Sequence, residues 1–190
     1  DSLDFSDSGT LLENFSANNL VRLRIDGSYH FGIPKMKFLT LSLRSQLGWI
    51  SNNNANSFFH FYLGGMPGIR GYPYYAIHGT KSAMFDITLR TPVFSNKHYK
   101  TTWLIFQNAT LGGIFQFGDA WTEEFSIKKS FGIQFRLNGF SFYNFPTAIE
   151  LEYHQPVSKF QVLINNDQDE PYKIMYGEKG RGYVKILFDF

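Results

Sequence analysis

Ser141, five histidines, the Asp167/Asp169 pair, a glycine-rich run near the C-terminus and Arg70 are the residues whose types or spacing could do chemistry. Most fail on context. Ser141, in Gly139-Phe140-Ser141-Phe142-Tyr143, lacks the second glycine of a nucleophile elbow and has no strand-to-helix turn around it. His30, His60, His78, His98 and His154 show no paired ligand spacing on one element, so no metal is expected. Asp167 and Asp169 lack the sixth-position Gly and the closing Glu of a calcium loop, and read as a solvated connection. Gly177-Glu178-Lys179-Gly180-Arg181-Gly182 is followed by no helix that could receive a phosphate. The chain therefore reads as a non-enzyme without cofactors. What remains is Arg70, one guanidinium in the Gly- and Pro-rich run Leu63-Gly64-Gly65-Met66-Pro67-Gly68-Ile69-Arg70-Gly71-Tyr72-Pro73, whose chemistry is ion pairing and directed hydrogen bonding.

The elements that would position these residues are strands. Val21, Leu23, Ile25, Tyr29, Phe31 and Ile33 alternate with Arg22, Arg24, Asp26, Ser28 and His30, which is a period of two. After a turn at Pro34-Lys35, Leu39, Leu41, Leu43, Leu47 and Trp49 oppose Thr40, Ser42, Arg44 and Gln46. Phe59, Phe61 and Leu63 read as a third strand, followed by the long interruption over residues 64–80. Ala83, Phe85, Ile87 and Leu89 then oppose Ser82, Asp86, Thr88 and Arg90, with Pro92 ending the strand. Further strands are expected over Trp103 to Gly118, Phe131 to Asn138 and Thr147 to His154. Asn165 to Glu170 reads as a polar connection to a last strand, in which Val184, Ile186, Phe188 and Phe190 face one way and Tyr183, Lys185 and Asp189 the other. This makes about eight antiparallel strands, an all-β chain with residues 1–19 as a loop or strand tail and 20–190 as one domain.

Composition narrows the setting. The chain has 190 residues, a length that suits one domain, with 21 Phe, 11 Tyr and only 18% charged residues, against about 25% in soluble domains. Rings in place of charges suit a surface facing lipid. Mean hydropathy is −0.23, and no stretch approaches the roughly 20 apolar residues of a spanning helix. A transmembrane barrel escapes that requirement, because only alternate residues meet hydrocarbon. A net charge of +2, with no basic run longer than Lys128-Lys129, excludes nucleic acid as a partner. The absence of cysteine removes disulfides and thiolate sites. Asp1-Ser2-Leu3-Asp4 is not a signal peptide, so an exported protein would place residue 1 downstream of further sequence.

Periodicity alone does not say which face points outwards. A soluble ligand-binding barrel would put the apolar face inside; an outer-membrane barrel would put it outside. The long charged groups on the polar face (Arg22, Arg24, Arg44, Arg90, Arg136, Glu150, Glu152) and the Tyr and Trp near strand ends favour the second arrangement.

The Gly64-Gly65 pair before Ile69-Arg70-Gly71-Tyr72, then Leu89-Arg90-Thr91-Pro92, then Gly118-Asp119-Ala120-Trp121, and a last strand ending on Phe188 and Phe190 together resemble the BamA/TamA superfamily of outer-membrane assembly and secretion barrels. The order and spacing agree over roughly Leu20 to Phe190. The resemblance implies a sixteen-stranded transmembrane barrel of which this chain is the C-terminal half, beginning at the ninth strand, because the family's loop lies between the eleventh and twelfth. It implies that residues 64–80 fold into the lumen and that Arg70 meets the inner wall, with Gly71 and Tyr72 shaping the tip. Asp86, Glu150 and Glu152 are the expected acidic partners. Gln116 stands where the family usually has Asp, which puts the partner's identity in question. Phe188 and Phe190 would form the C-terminal barrel signal. The implied setting is the bacterial outer membrane, with lipid, the N-terminal half of the barrel, unfolded polypeptide substrates and accessory subunits as partners, and insertion or translocation of polypeptides as the function. The alternative is a passive anchor or channel for an upstream propeller or hydrolase.

Overall fold

The structure is a computed structural model that describes residues 20–34, 36–141, 145–166 and 169–188, so the expected 1–19 tail and Phe190 lie outside the described residues. In chain order the strands are β1 (Arg22–Ile33), β2 (Met36–Ile50), β3 (Phe61–Tyr62), β4 (His78–Gly79), β5 (Lys81–Phe94), β6 (Tyr99–Lys100), β7 (Leu104–Trp121), β8 (Lys128–Ser141), β9 (Phe145–Pro156), β10 (Phe160–Asn166), β11 (Asp169–Tyr176) and β12 (Arg181–Phe188). The two helical pieces are single 3-10 turns, Ser57–Phe59 and Tyr74–Ala76. The chain is all-β.

The main sheet is an antiparallel meander in the order β1-β2-β5-β7-β8-β9-β12, with the short β6 paired to β7. Period-two sequences build it directly, since each strand places its polar residues on one face and its apolar residues on the other. The register then aligns like with like. Arg44, Asp86, Gln116 and Ser130 stand opposite one another across β2, β5, β7 and β8. Arg90, Gly112, Gln134, Glu152 and Tyr183 do the same across β5, β7, β8, β9 and β12.

The burial is opposite to that of a soluble sheet. On the apolar face Phe85 is 42% exposed, Ile133 54% and Val184 69%, while on the polar face Gln116 and His154 are fully buried and Glu152 is 4% exposed. Segment 51–80 lies over that face at β5, β7 and β9, where Gly68 and Arg70 meet Gln116, Asp86 and Glu152, whereas the polar side chains of β1 are exposed. The larger cluster of buried apolar side chains lies at that cover: Leu63, Ile69, Tyr72, Ala76 and Ile77 of the loop close on Met84 and Ala120 of the sheet. Phe61 packs with Ile50 and Ala55 beside them.

Three expectations are corrected. Phe59–Leu63 is not a long strand of the main sheet: only Phe61–Tyr62 is extended, and it pairs with His78–Gly79 inside the loop. The loop thus follows the second strand of the sheet, not the third. Pro92 does not end its strand, because β5 continues to Phe94 through an irregular register that accommodates the missing N–H. Asn165–Glu170 is not merely a connection, since Asn166 and Asp169 pair at the tip of a hairpin formed by β10 and β11.

The two ends of the sheet differ. At one end two residues separate β1 from β2 and three separate β8 from β9, with 95–103 between β5 and β7. At the other end stand the long connections 51–80 and 157–180, with 122–127 between them. Among the described residues, no strand pairs with the outer edge of β1 or of β12.

Candidate functional site

The loop's backbone is held by its own glycines. Gly65 takes a φ of +70°, and its N–H donates to the Tyr72 carbonyl at 2.8 Å, closing a compact ring over 65–72. A Cβ on Gly71 would lie 2.6 Å from Ser130 Oγ and 3.0 Å from Pro156 N. That spacing brings the backbone at Arg70 down against the sheet. Ile69 and Tyr72, on either side, are fully buried.

Gln116 receives this tip. Its Oε1 accepts the Arg70 backbone N–H at 2.9 Å, and its Nε2 donates to the Gly68 carbonyl at 3.1 Å and to Asp86 Oδ2 at 2.8 Å. Gln116, standing where the resemblance expects Asp, meets Arg70 through its main chain and not through the guanidinium. An amide can accept and donate at once, which a carboxylate cannot.

The guanidinium goes further across the sheet. Arg70 Nη1 lies 3.1 Å from Glu152 Oε1 on β9, and Nη2 lies 3.8 Å from Asp86 Oδ2 on β5. Glu150, expected as a third candidate, does not meet Arg70; Lys185 at 2.8 Å and Arg136 at 3.5 Å take it. The reason is register: Glu150 stands opposite Arg136 on one side and Lys185 on the other.

Glu152 is the hub. Besides Arg70 it holds Lys185 Nζ at 2.9 Å and His154 Nε2 at 3.2 Å, and it accepts from Gln134 Nε2 at 2.9 Å. A carboxylate this buried persists only when its lone pairs are taken up, and here four groups do so. Tyr183 adds a direct tie between the last strand and the loop, its hydroxyl donating to the Arg70 carbonyl at 2.7 Å. Sequence reasoning placed Tyr183 and Lys185 on the polar face but gave them no role. The available signal was their alternation with Val184 and Ile186.

Tyr72 anchors the other side. Its hydroxyl lies 2.7 Å from the Ser158 carbonyl and 2.9 Å from the Lys129 carbonyl, and its ring packs 5.6 Å from Phe160. Burial, the dominant effect, pushes the Tyr72 phenol above its ordinary value, so it remains a neutral donor. The β10–β11 hairpin thus clamps the loop through Phe160 and Tyr176. The turn beneath is fixed by Asp119, which accepts from the Ser126 N–H at 2.6 Å and pairs with Lys128 at 2.7 Å.

No protein-family model, curated protein or solved structure matches this chain. The arrangement holds one loop against one face of a sheet through ion pairs and hydrogen bonds. Among the described residues there is no group of three metal-ligating side chains. Phe188 ends β12 on the apolar face, more than half exposed.

Proposed function

We propose that this chain is the C-terminal part of a bacterial outer-membrane β-barrel resembling the BamA/TamA kind, which inserts or translocates polypeptides at that membrane. The observation that carries the reading is the inversion of the sheet: its apolar face lies bare while the middle of its polar face is buried beneath an inserted loop. Water disfavours such an arrangement, and hydrocarbon favours it. The outward residues of β2 from Leu39 to Trp49 extend roughly 33 Å along the strand, or roughly 25 Å along the membrane normal at a tilt of about 40°. That matches the apolar band of an outer-membrane barrel.

The unequal ends support the same reading, since such barrels have short periplasmic turns and longer extracellular loops. So do the open edges, because a sheet edge in hydrocarbon leaves backbone groups unsatisfied at several kcal/mol each. Strands of an N-terminal half would pair with the outer edges of β1 and β12. With the loop between β2 and β5 taken as that between the eleventh and twelfth strands, β1 becomes the tenth of sixteen. Arg70 sits in the loop that carries the resemblance, locked to the inner wall by Glu152, Asp86 and Gln116.

The test has two parts. The full-length protein should remain in the outer-membrane fraction after an alkaline wash and should migrate faster unheated than heated on gels. Its depletion should then lower the amount of other outer-membrane barrels or secreted polypeptides and leave unfolded chains in the periplasm. Recovery in the soluble fraction would overturn the membrane reading. Stable membrane insertion with unchanged cargo levels on depletion would favour a passive anchor or channel.

A further inference from the structure

The charges on the polar face are unevenly matched. Asp26 is taken by Arg24 at 2.7 Å, Asp86 by Arg70, Gln116 and Thr88, and Glu150 and Glu152 by Arg136, Lys185, Arg70 and His154. Arg44 and Arg90 on this face hydrogen-bond to neutral groups, while Glu150 and Asp86 act on Arg90 from further off. Arg44 donates to the Pro67 carbonyl at 3.1 Å, although Asp86 stands opposite it in the register. Arg90 donates to Gln134 Oε1 at 2.8 Å and to Ser42 Oγ at 3.1 Å.

These two arginines flank one place. Ser42, only 7% exposed, lies between them on the polar face, two residues before Arg44 and bonded to Arg90. His30 Nδ1 on β1 lies 2.8 Å from the same Ser42 oxygen. Arg90 has no acceptor to offer, so the Ser42 hydroxyl receives from it, and the same oxygen shares a hydrogen bond with His30 Nδ1 whose direction follows the imidazole's tautomer. Arg44 and Arg90 are partly exposed, so the unused N–H groups of both can reach a ligand.

From this we infer that the polar face of β2 and β5 holds a binding site for a small oxyanion, with Arg44 and Arg90 as its charged donors and Ser42, bonded to both Arg90 and His30, holding the Arg90 guanidinium in place. Planar guanidinium forks match the oxygens of phosphate or a carboxylate, and two cations on one face strengthen each charge-assisted bond. In the barrel of the preceding section the site faces the lumen, so that placement rests on the membrane reading. The binding chemistry does not, because it follows from the side chains alone.

The experiment titrates inorganic phosphate into the folded full-length protein in detergent micelles, followed by broadening of the phosphate signal in phosphorus NMR. Saturable binding is expected, weakened about tenfold or more by Arg44→Gln with Arg90→Gln and retained largely by the two Lys substitutions. Arg24→Gln, whose cation is already paired with Asp26, should leave it unchanged. Unsaturable broadening, or equal binding by the parent and the double Gln variant, overturns the site. If the double variant does not fold, Arg44→Gln alone decides, because its hydrogen bond to Pro67 is a surface contact of the loop. Flotation of the same protein with lipid vesicles is read separately. A chain that floats but does not bind phosphate sinks this inference, and one that binds phosphate but does not float sinks the membrane reading.

Discussion

Arg70 and Glu152 meet at 3.1 Å across 82 residues of sequence, one from a loop and one from the second-to-last strand of the sheet. The Glu152 side chain is wholly buried and that of Arg70 is 13% exposed. The pair pins the loop to the sheet, and Tyr183 and Lys185 extend the hold to β12. Arg70→Ala should lower stability by about 2 to 4 kcal/mol, because it removes one partner of a buried charge while Lys185, His154 and Gln134 remain. Arg70→Lys should fall between the two, keeping the charge without the fork. Denaturant midpoints in detergent or vesicles check both, and an unchanged midpoint for Arg70→Ala would show that the loop is held by other contacts.

Gln116 is expected to matter through the main chain of the loop. Gln116→Leu leaves the Arg70 N–H and the Gly68 carbonyl without their partner and takes one of several bonds from Asp86, at about 1 to 3 kcal/mol for each group that water cannot reach. The measurement is protease susceptibility within 64–80, which should rise sharply. Resistance equal to the parent would remove Gln116 from the anchor.

The space at Gly71 makes a contrast with Gly113. A Cβ on Gly71 meets Ser130 Oγ and Pro156 N, whereas one on Gly113 meets nothing within 4 Å. Gly71→Ala should destabilise by about 1 to 3 kcal/mol through overpacking, and Gly113→Ala should stay within about 0.5 kcal/mol of the parent. Equal effects of the two substitutions on thermal unfolding would contradict the packing described here.

Ile133, outward on β8 and 54% exposed, separates lipid from water as the medium on the apolar face. Ile133→Lys should weaken folding into vesicles by about 2 to 4 kcal/mol if the position lies near the bilayer midplane. In water the same change would be close to neutral. Folding titrations into lipid vesicles give the number directly.

The loop carries a pH dependence at His60. Burial, the larger effect, and the neighbouring His78 at 5.7 Å hold its imidazole below its ordinary value of 6.5, against the Ala55 carbonyl, which raises it. As pH falls through about 6.5 the unfolded segment gains a proton before the folded one does, so stability present above that pH is lost on acidification. Hydrogen exchange over 57–79 should therefore quicken at about pH 5.5 relative to about pH 7.5, after correction for intrinsic rates. His60→Gln should abolish the extra change.

Local periodicity determined much of this protein by itself. A period of two over Leu23 to Phe31, Leu39 to Trp49 and Phe131 to Leu137 is enough to specify strands with one polar and one apolar face, because alternation belongs to a single extended chain and needs no partner. The Gly-rich run around Arg70 likewise announced an insertion between strands. Tertiary structure decided the rest. Which of Asp86, Glu150 and Glu152 takes Arg70 depends on register between strands far apart in sequence, and Lys185 and Arg136 claim Glu150 only because the ladders set them opposite it. Gln116 binds main chain rather than guanidinium because the loop's path, not the strand's pattern, brings the Arg70 N–H over it. The β10–β11 hairpin was hidden because its strands are short and its stability comes from packing Phe160 and Tyr176 against the loop. The side on which the greasy residues lie open was also beyond the pattern, since alternation is symmetric and only the cover of 51–80 over one face breaks that symmetry.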